Sequence, residues 1–303
     1  KGITSVTLGT SNFVAGSTAG DSIVSGGNYN TLIGDEAGTA ITTGTHNVAL
    51  GFSALDANTT GSGNHAIGTS SLTNNTTGAN NTSVGSGSLA SNTTASSNTA
   101  VGYTALLANT TGTQNTAIGT QAMAVNTTGA NNVALGFLAM LNGTTASDNI
   151  AVGVNALYTN TTGTSNTALG RSALRYNTTA SNNTAVGYNS LLANTTGAAN
   201  TAVGAGCLDA NTTGNDNVAI GRLALEFNTT ADDNVAIGFI AMRYNTTGTY
   251  NTAVGRNALG ANTTAANNTA VGWGSLSANT TAADNTALGY QALTSNTTGA
   301  NNT

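Results

Sequence analysis

The 303-residue chain carries a net charge of −5, with 6% charged and 5% aromatic residues, 39 glycines and no proline. Its six basic residues are scattered, so no stripe neutralises nucleic-acid phosphates, and no apolar run reaches the roughly eighteen residues that span a membrane. The Pro-rich, highly charged signature of disorder is also missing.

The chain begins at Lys1 without an initiator Met, and we read it as a piece of something longer. Residues 1–29 hold loose versions of a motif, SVTLG at 5–9 and DSIVSG at 21–26, and read as degenerate coils or a transition segment. From Asn30 to Asn301 a seventeen-residue unit, N-T-A-V-G-x-x-A-L-x-x-N-T-T-G-x-x, repeats sixteen times without insertion. Residues 30–303 are therefore expected to form one repeat array.

Position one of the unit is always Asn, position five always Gly, and positions thirteen and fourteen always Thr. Position twelve is Asn except at Ile41 and Gly143. Positions one to four read as a short strand. Side chains alternate along a strand, so Thr, Val or Ile at position two and Val, Ile or Leu at position four are expected to point inward together. The invariant Gly suits a bend, through positive φ or close backbone approach.

Positions six to twelve show a different period. Position eight is small and position nine is Leu or Met in nearly every copy, while six, seven, ten and eleven vary. At about 100° per residue the constant positions share one side, which predicts a single helical turn. All five arginines fall outside it, at positions six (Arg171, Arg222, Arg256) and ten (Arg175, Arg243), and all three methionines (Met123, Met140, Met242) fall inside. Asn at position twelve is expected to take the left-handed conformation that ends such a turn. The two threonines then resume extended backbone, on opposite faces.

One such coil cannot bury its own face, so coils must stack at about 4.7–4.9 Å per layer, giving a rod on the order of 75 Å. The expected fold class is an all-β solenoid: a parallel β-roll of seventeen-residue coils, each with a strand, a Gly bend and a helical turn.

The segments HNVALGF at 46–52, DNIAVGV at 148–154 and DNVAIGF at 233–239 resemble the head repeats of trimeric autotransporter adhesins, the YadA-like β-roll, and similar phage tail-fibre repeats. The resemblance covers nearly the whole chain through five or six residues per coil, and the coil here is longer by the added A-L-x-x-N turn. It implies a homotrimeric, extracellular or virion-surface fibre with an adhesive role.

The N-T-T tripeptide is a glycosylation sequon in fourteen coils, at Asn58, Asn75, Asn92, Asn109, Asn126, Asn160, Asn177, Asn194, Asn211, Asn228, Asn245, Asn262, Asn279 and Asn296. A glycan-sheathed fibril is thus one alternative, although a sequon leaves its middle residue free and here it is always Thr. Ice binding is a second alternative, but adjacent threonines on opposite faces leave only one outward column. His46 and His65, with Asp35, Glu36 and Asp56 nearby, form the only local acid–base cluster, and solvated corner residues explain it better. Acidic corners such as Asp232 and Asp233 lack the G-G-x-G-x-D repeat of a calcium cage. Cys207 reads as a buried filler at position eight. No catalytic residue, metal ligand or cofactor site is assigned. Position three is Ala in fourteen coils, a column that suggests a closely resting second surface, from the same coil or a neighbouring chain. The reading is a non-catalytic fibre segment that self-associates.

Overall fold

The computed structural model describes residues 8–303; the SVTLG motif at 5–9 falls largely outside them. The chain divides into two compact units, Lys1–Asn149 and Ile150–Thr303. Each is a parallel β-solenoid built from the seventeen-residue coil. In the first, three-residue strands from β1 (Phe13–Ala15) to β8 (Val133–Leu135) pair in parallel, each with the next. In the second, β9 (Ile150–Val152) to β17 (Thr286–Leu288) do the same. Like positions meet: Thr99 lies against Thr116, Ala100 against Ala117 and Val101 against Ile118. The end of the segment 1–29 is itself a coil one residue longer, for Phe13 pairs with Thr31 and the Asn12 Oδ1 accepts the Asn30 N–H.

The strands are turned the opposite way from the sequence expectation. Position three is buried in every strand, while two and four are half-buried or exposed. Ala202 is 0% exposed, whereas Leu50 at position four is 43% exposed. The cause is the narrowness of the coil. Positions one, three, eight, nine, twelve and fifteen all face inward, and Leu at nine with two Asn side chains leaves room only for a methyl group at three. The β-branched residues then sit on the open face, where a half-exposed sheet favours them. The Ala column is thus covered by its own coil.

The first repeat coil tests this packing by exception. Gly38 replaces the usual Leu at position nine, and Leu32 and Ile41 replace the usual Ala and Asn. A Cβ on Gly38 would lie 2.8 Å from Ile41 Cδ1 and 2.9 Å from Leu32 Cδ2. Two enlarged residues fill the volume that one Leu occupies elsewhere, as close packing demands.

No helix forms among the described residues, so the expected helical turn is replaced by two tight turns. Ala54 N–H donates to Gly51 O and Asn58 N–H to Leu55 O. Positions seven and nine lie in the left-handed region, as Gln121 (φ 57°) and Met123 (φ 51°) illustrate, and position twelve does not. The intervening amides reach along the stack instead: Ser53 donates to Asp35 O, Leu55 to Ser71 O and Ala57 to Thr73 O. A helix would close its bonds within the coil. The alternating backbone sends them to the neighbouring coils, which satisfies these buried groups. The conformation costs roughly 1–2 kcal/mol for each left-handed Leu. Position nine stays buried because the turn still folds it inward.

The invariant Gly serves both of its expected purposes. Gly51 has φ 141°, and a Cβ there would stand 2.6 Å from Gly68 O in the next coil. Positions thirteen and fourteen form a bend without a strand, and both face outward, half-buried and exposed respectively. The expectation of opposite faces fails because the chain is not extended there. The Thr59 Oγ1 donates to Thr76 O in the next coil, and the same bond recurs at Thr76, Thr110 and Thr127.

Candidate functional site

The sequon asparagines lie inside the coils. Asn58, Asn75, Asn92, Asn109 and Asn126 in the first unit, and Asn160, Asn177, Asn194, Asn211, Asn228, Asn245, Asn262 and Asn279 in the second, are 0% exposed; Asn296 is half-buried. Each Nδ2 donates to the position-fifteen carbonyl of its own coil, as Asn194 does to Gly197 O at 2.9 Å. Except at Asn58 and Asn160, which follow Ile41 and Gly143, it donates its other hydrogen to the Oδ1 one coil back, as Asn194 does to Asn177 at 2.9 Å. The result is an amide ladder in a low-dielectric interior, where satisfied polar networks are strong. A sugar on a fully buried Nδ2 would break a rung and has no exit, so the folded coils disfavour N-linked glycans at every sequon but Asn296. Position-fourteen threonines remain exposed.

Position-one asparagines form a second buried ladder. The Asn166 Oδ1 accepts the backbone N–H of Asn183 at 3.0 Å, while Asn183 Nδ2 donates to Gly197 O. The two ladders share the position-fifteen carbonyl and clamp strand to turn within a coil.

The outer ridge carries the charged and aromatic residues. In the second unit, position six runs Val154, Arg171, Tyr188, Ala205, Arg222, Phe239, Arg256, Trp273, Tyr290. Arg222 lies over the Phe239 ring at 4.8 Å and Arg256 over its other side at 5.4 Å. Trp273 and Tyr290 stack at 5.1 Å, and Arg171 reaches Tyr188 at 6.0 Å. Cations and rings one coil apart thus form a ladder of cation–π and stacking contacts. Positions ten and eleven form another: Arg243 pairs with Glu226 at 2.5 Å and lies over Phe227 and Tyr244, which stack on each other at 5.6 Å. The hydrogen bond to Glu226 raises the Arg243 guanidinium above its ordinary value.

The open face of the strands is a two-column array. In the second unit it presents Ile150, Thr167, Thr184 and Thr201 beside Val152, Leu169, Val186 and Val203, and no charged residue occupies either column through β17.

The acid–base cluster near the first coils does not converge. His46 is exposed and stacks on Tyr29 at 5.0 Å, while Glu36 accepts a hydrogen bond from Ser53 at 2.6 Å. His65 sits on the open strand face. Among the described residues no three His, Cys, Asp or Glu side chains gather as metal ligands, and no helix is long and apolar enough to cross a membrane. Cys207 is buried, donates to Gly204 O and meets Ser190 Oγ at 3.2 Å. Burial pushes its thiol up to about 11, with the Ser190 hydrogen bond pulling partly against it. The sequence signal for the position-six ladder was the recurrence of Arg, Tyr, Phe and Trp from Arg171 onward at a position that varies. No family model matches the chain, and no curated protein does.

Proposed function

We propose that this chain is a non-catalytic structural segment of an extracellular fibre, similar in plan to the heads of trimeric autotransporter adhesins and to phage tail fibres. The observation that carries the reading is the pair of buried asparagine ladders. The interior polar groups join one coil to the next, so the sequence extends a stack coil by coil. Self-association belongs to the same reading, with three chains the arrangement the resemblance suggests. The Ala column does not argue for it, since its own coil covers it; the charge-free strand face does, being open and lined by Thr, Val, Ile and Leu side chains. Filament diffraction with a meridional spacing near 4.8 Å, together with a three-chain mass by light scattering, supports the reading. A dominant spacing near 5.4 Å, or a lone monomer at tens of micromolar, overturns it.

A second reading rests on that same face. Two outward columns of methyl and hydroxyl groups, in identical register coil after coil, form the regular surface that ice binding requires. Thermal hysteresis of the purified chain supports it, and a freezing point equal to the melting point excludes it.

A further inference from the structure

The position-six ladder has one short rung. Between Tyr188 and Arg222 the column holds Ala205, followed by Gly206 at position seven. Tyr188, Ala205, Gly206, Asp209 and Arg222 line a notch of about 260 Å³ at this place. Neighbouring coils lie about 4.8 Å apart, so the side chains that bracket Ala205 start from layers about 9.6 Å apart. That is the thickness of one ring stacked on both sides. Elsewhere on this column the observed layers are 4.8 Å for Arg222 on Phe239 and 5.1 Å for Trp273 on Tyr290. Tyr188 is 55% exposed, and Arg222 already leans on Phe239, so the notch is open.

One wall of the notch is polar, the half-buried Asp209 carboxylate. The Asp209 Oδ1 is buried and has no hydrogen-bond partner. A buried carboxylate oxygen without a donor is costly, and a donor supplied to the accessible side of the same carboxylate offsets part of that cost. Burial, and then the neighbouring Glu226 charge, raise the Asp209 carboxyl above its ordinary value. Both effects fit an acceptor that gains from a donor.

We propose that the Ala205 notch is a binding site for an aromatic ring that carries a hydrogen-bond donor, a phenol above all. The ring stacks on Tyr188, lies beneath the Arg222 guanidinium and donates its hydroxyl to Asp209. Its neighbours then reproduce contacts that the rest of the column makes with its own side chains. A free phenolic compound and the side chain of a tyrosine-bearing peptide share this chemistry.

The test uses p-cresol, toluene and N-acetyltyrosinamide as probes of the full chain, followed by amide chemical shifts. The expected result is saturable p-cresol binding with shifts confined to the coils spanning 183–233, at least about tenfold tighter than toluene, the factor a charge-assisted hydrogen bond supplies. Binding by N-acetyltyrosinamide at least as tight as p-cresol points to a peptide, and weaker binding to a free phenol. Ala205→Tyr fills the notch with a residue this position already holds at Tyr188 and Tyr290. It should abolish binding while the melting temperature holds or rises. Asp209→Asn should remove most of the preference for p-cresol over toluene. Absence of saturable p-cresol binding at millimolar concentration, or binding unchanged in a folded Ala205→Tyr variant, overturns the proposal.

Discussion

The Oδ1 of Asn126 is buried without a hydrogen-bond partner, and the residue at its position in the following coil is Gly143. Every other rung of this ladder inside the first unit is complete from Asn58 onward: Asn75, Asn92, Asn109 and Asn126 each donate to the asparagine before. The defect identifies what the position-twelve amide does. Gly143→Asn should satisfy the orphaned oxygen and raise stability by about 1–3 kcal/mol, the usual cost of an unsatisfied buried acceptor. Chemical denaturation checks it, and an unchanged or lower midpoint would mean that the ladder contributes nothing there.

Removing a rung should cost more. Asn194→Ala takes the donor from Asn177 Oδ1 and the acceptor from Asn211 Nδ2, leaving two buried polar groups short of a partner, for a loss of about 2–6 kcal/mol. Thr196→Ala, at the exposed position fourteen beside it, should change the midpoint by less than about 0.5 kcal/mol.

The repeat, its period and the parallel stacking of short strands were legible in the sequence, because seventeen-residue periodicity without insertions admits little else. The burial of positions eight and nine was legible too, from small and large apolar residues held constant. Strand facing was not. Hydrophobicity placed Val203 inside and Ala202 outside, whereas coil width decided the reverse. The left-handed backbone at Leu174 (φ 51°) was hidden for a related reason: Leu is a poor residue for that conformation, and only the stack's hydrogen bonds make it worthwhile. The sequons were visible but their meaning was not, since buried ladder Asn and acceptor Asn share one spelling.

The compensation around Gly38 predicts a non-additive series. Gly38→Leu alone should destabilise, because its side chain enters space held by Ile41 and Leu32. Combined with Leu32→Ala and Ile41→Asn, it recreates the ordinary coil and should recover most of the loss. Thermal melts of the single, double and triple variants measure the coupling. Additive effects would show that the three sites do not share one volume.

Cys207 should make the second unit sensitive to alkaline pH. Its folded value near 11 lies above the ordinary 9.0, so the unfolded chain loses this proton first as pH rises. Stability is therefore full below pH 9 and falls between 9 and 11, by about 2–3 kcal/mol for a two-unit shift. Cys207→Ser, a residue this position already holds at Ser190, should flatten that part of the profile. Denaturation midpoints at pH 8 and pH 10.5 give the comparison.

The most direct test of the account is which side of the strand faces the core, because that orientation closes each coil on itself and leaves the apolar face open. Ala202 is 0% exposed and Val203 beside it is half-buried on the open face. Thermal unfolding of Ala202→Asp and Val203→Asp, measured side by side, should show the first losing several kcal/mol as a charge enters the coil unpaired. The second should lose no more than about 1 kcal/mol. A larger loss for Val203→Asp would place position four inside, and the coil described here would be inverted.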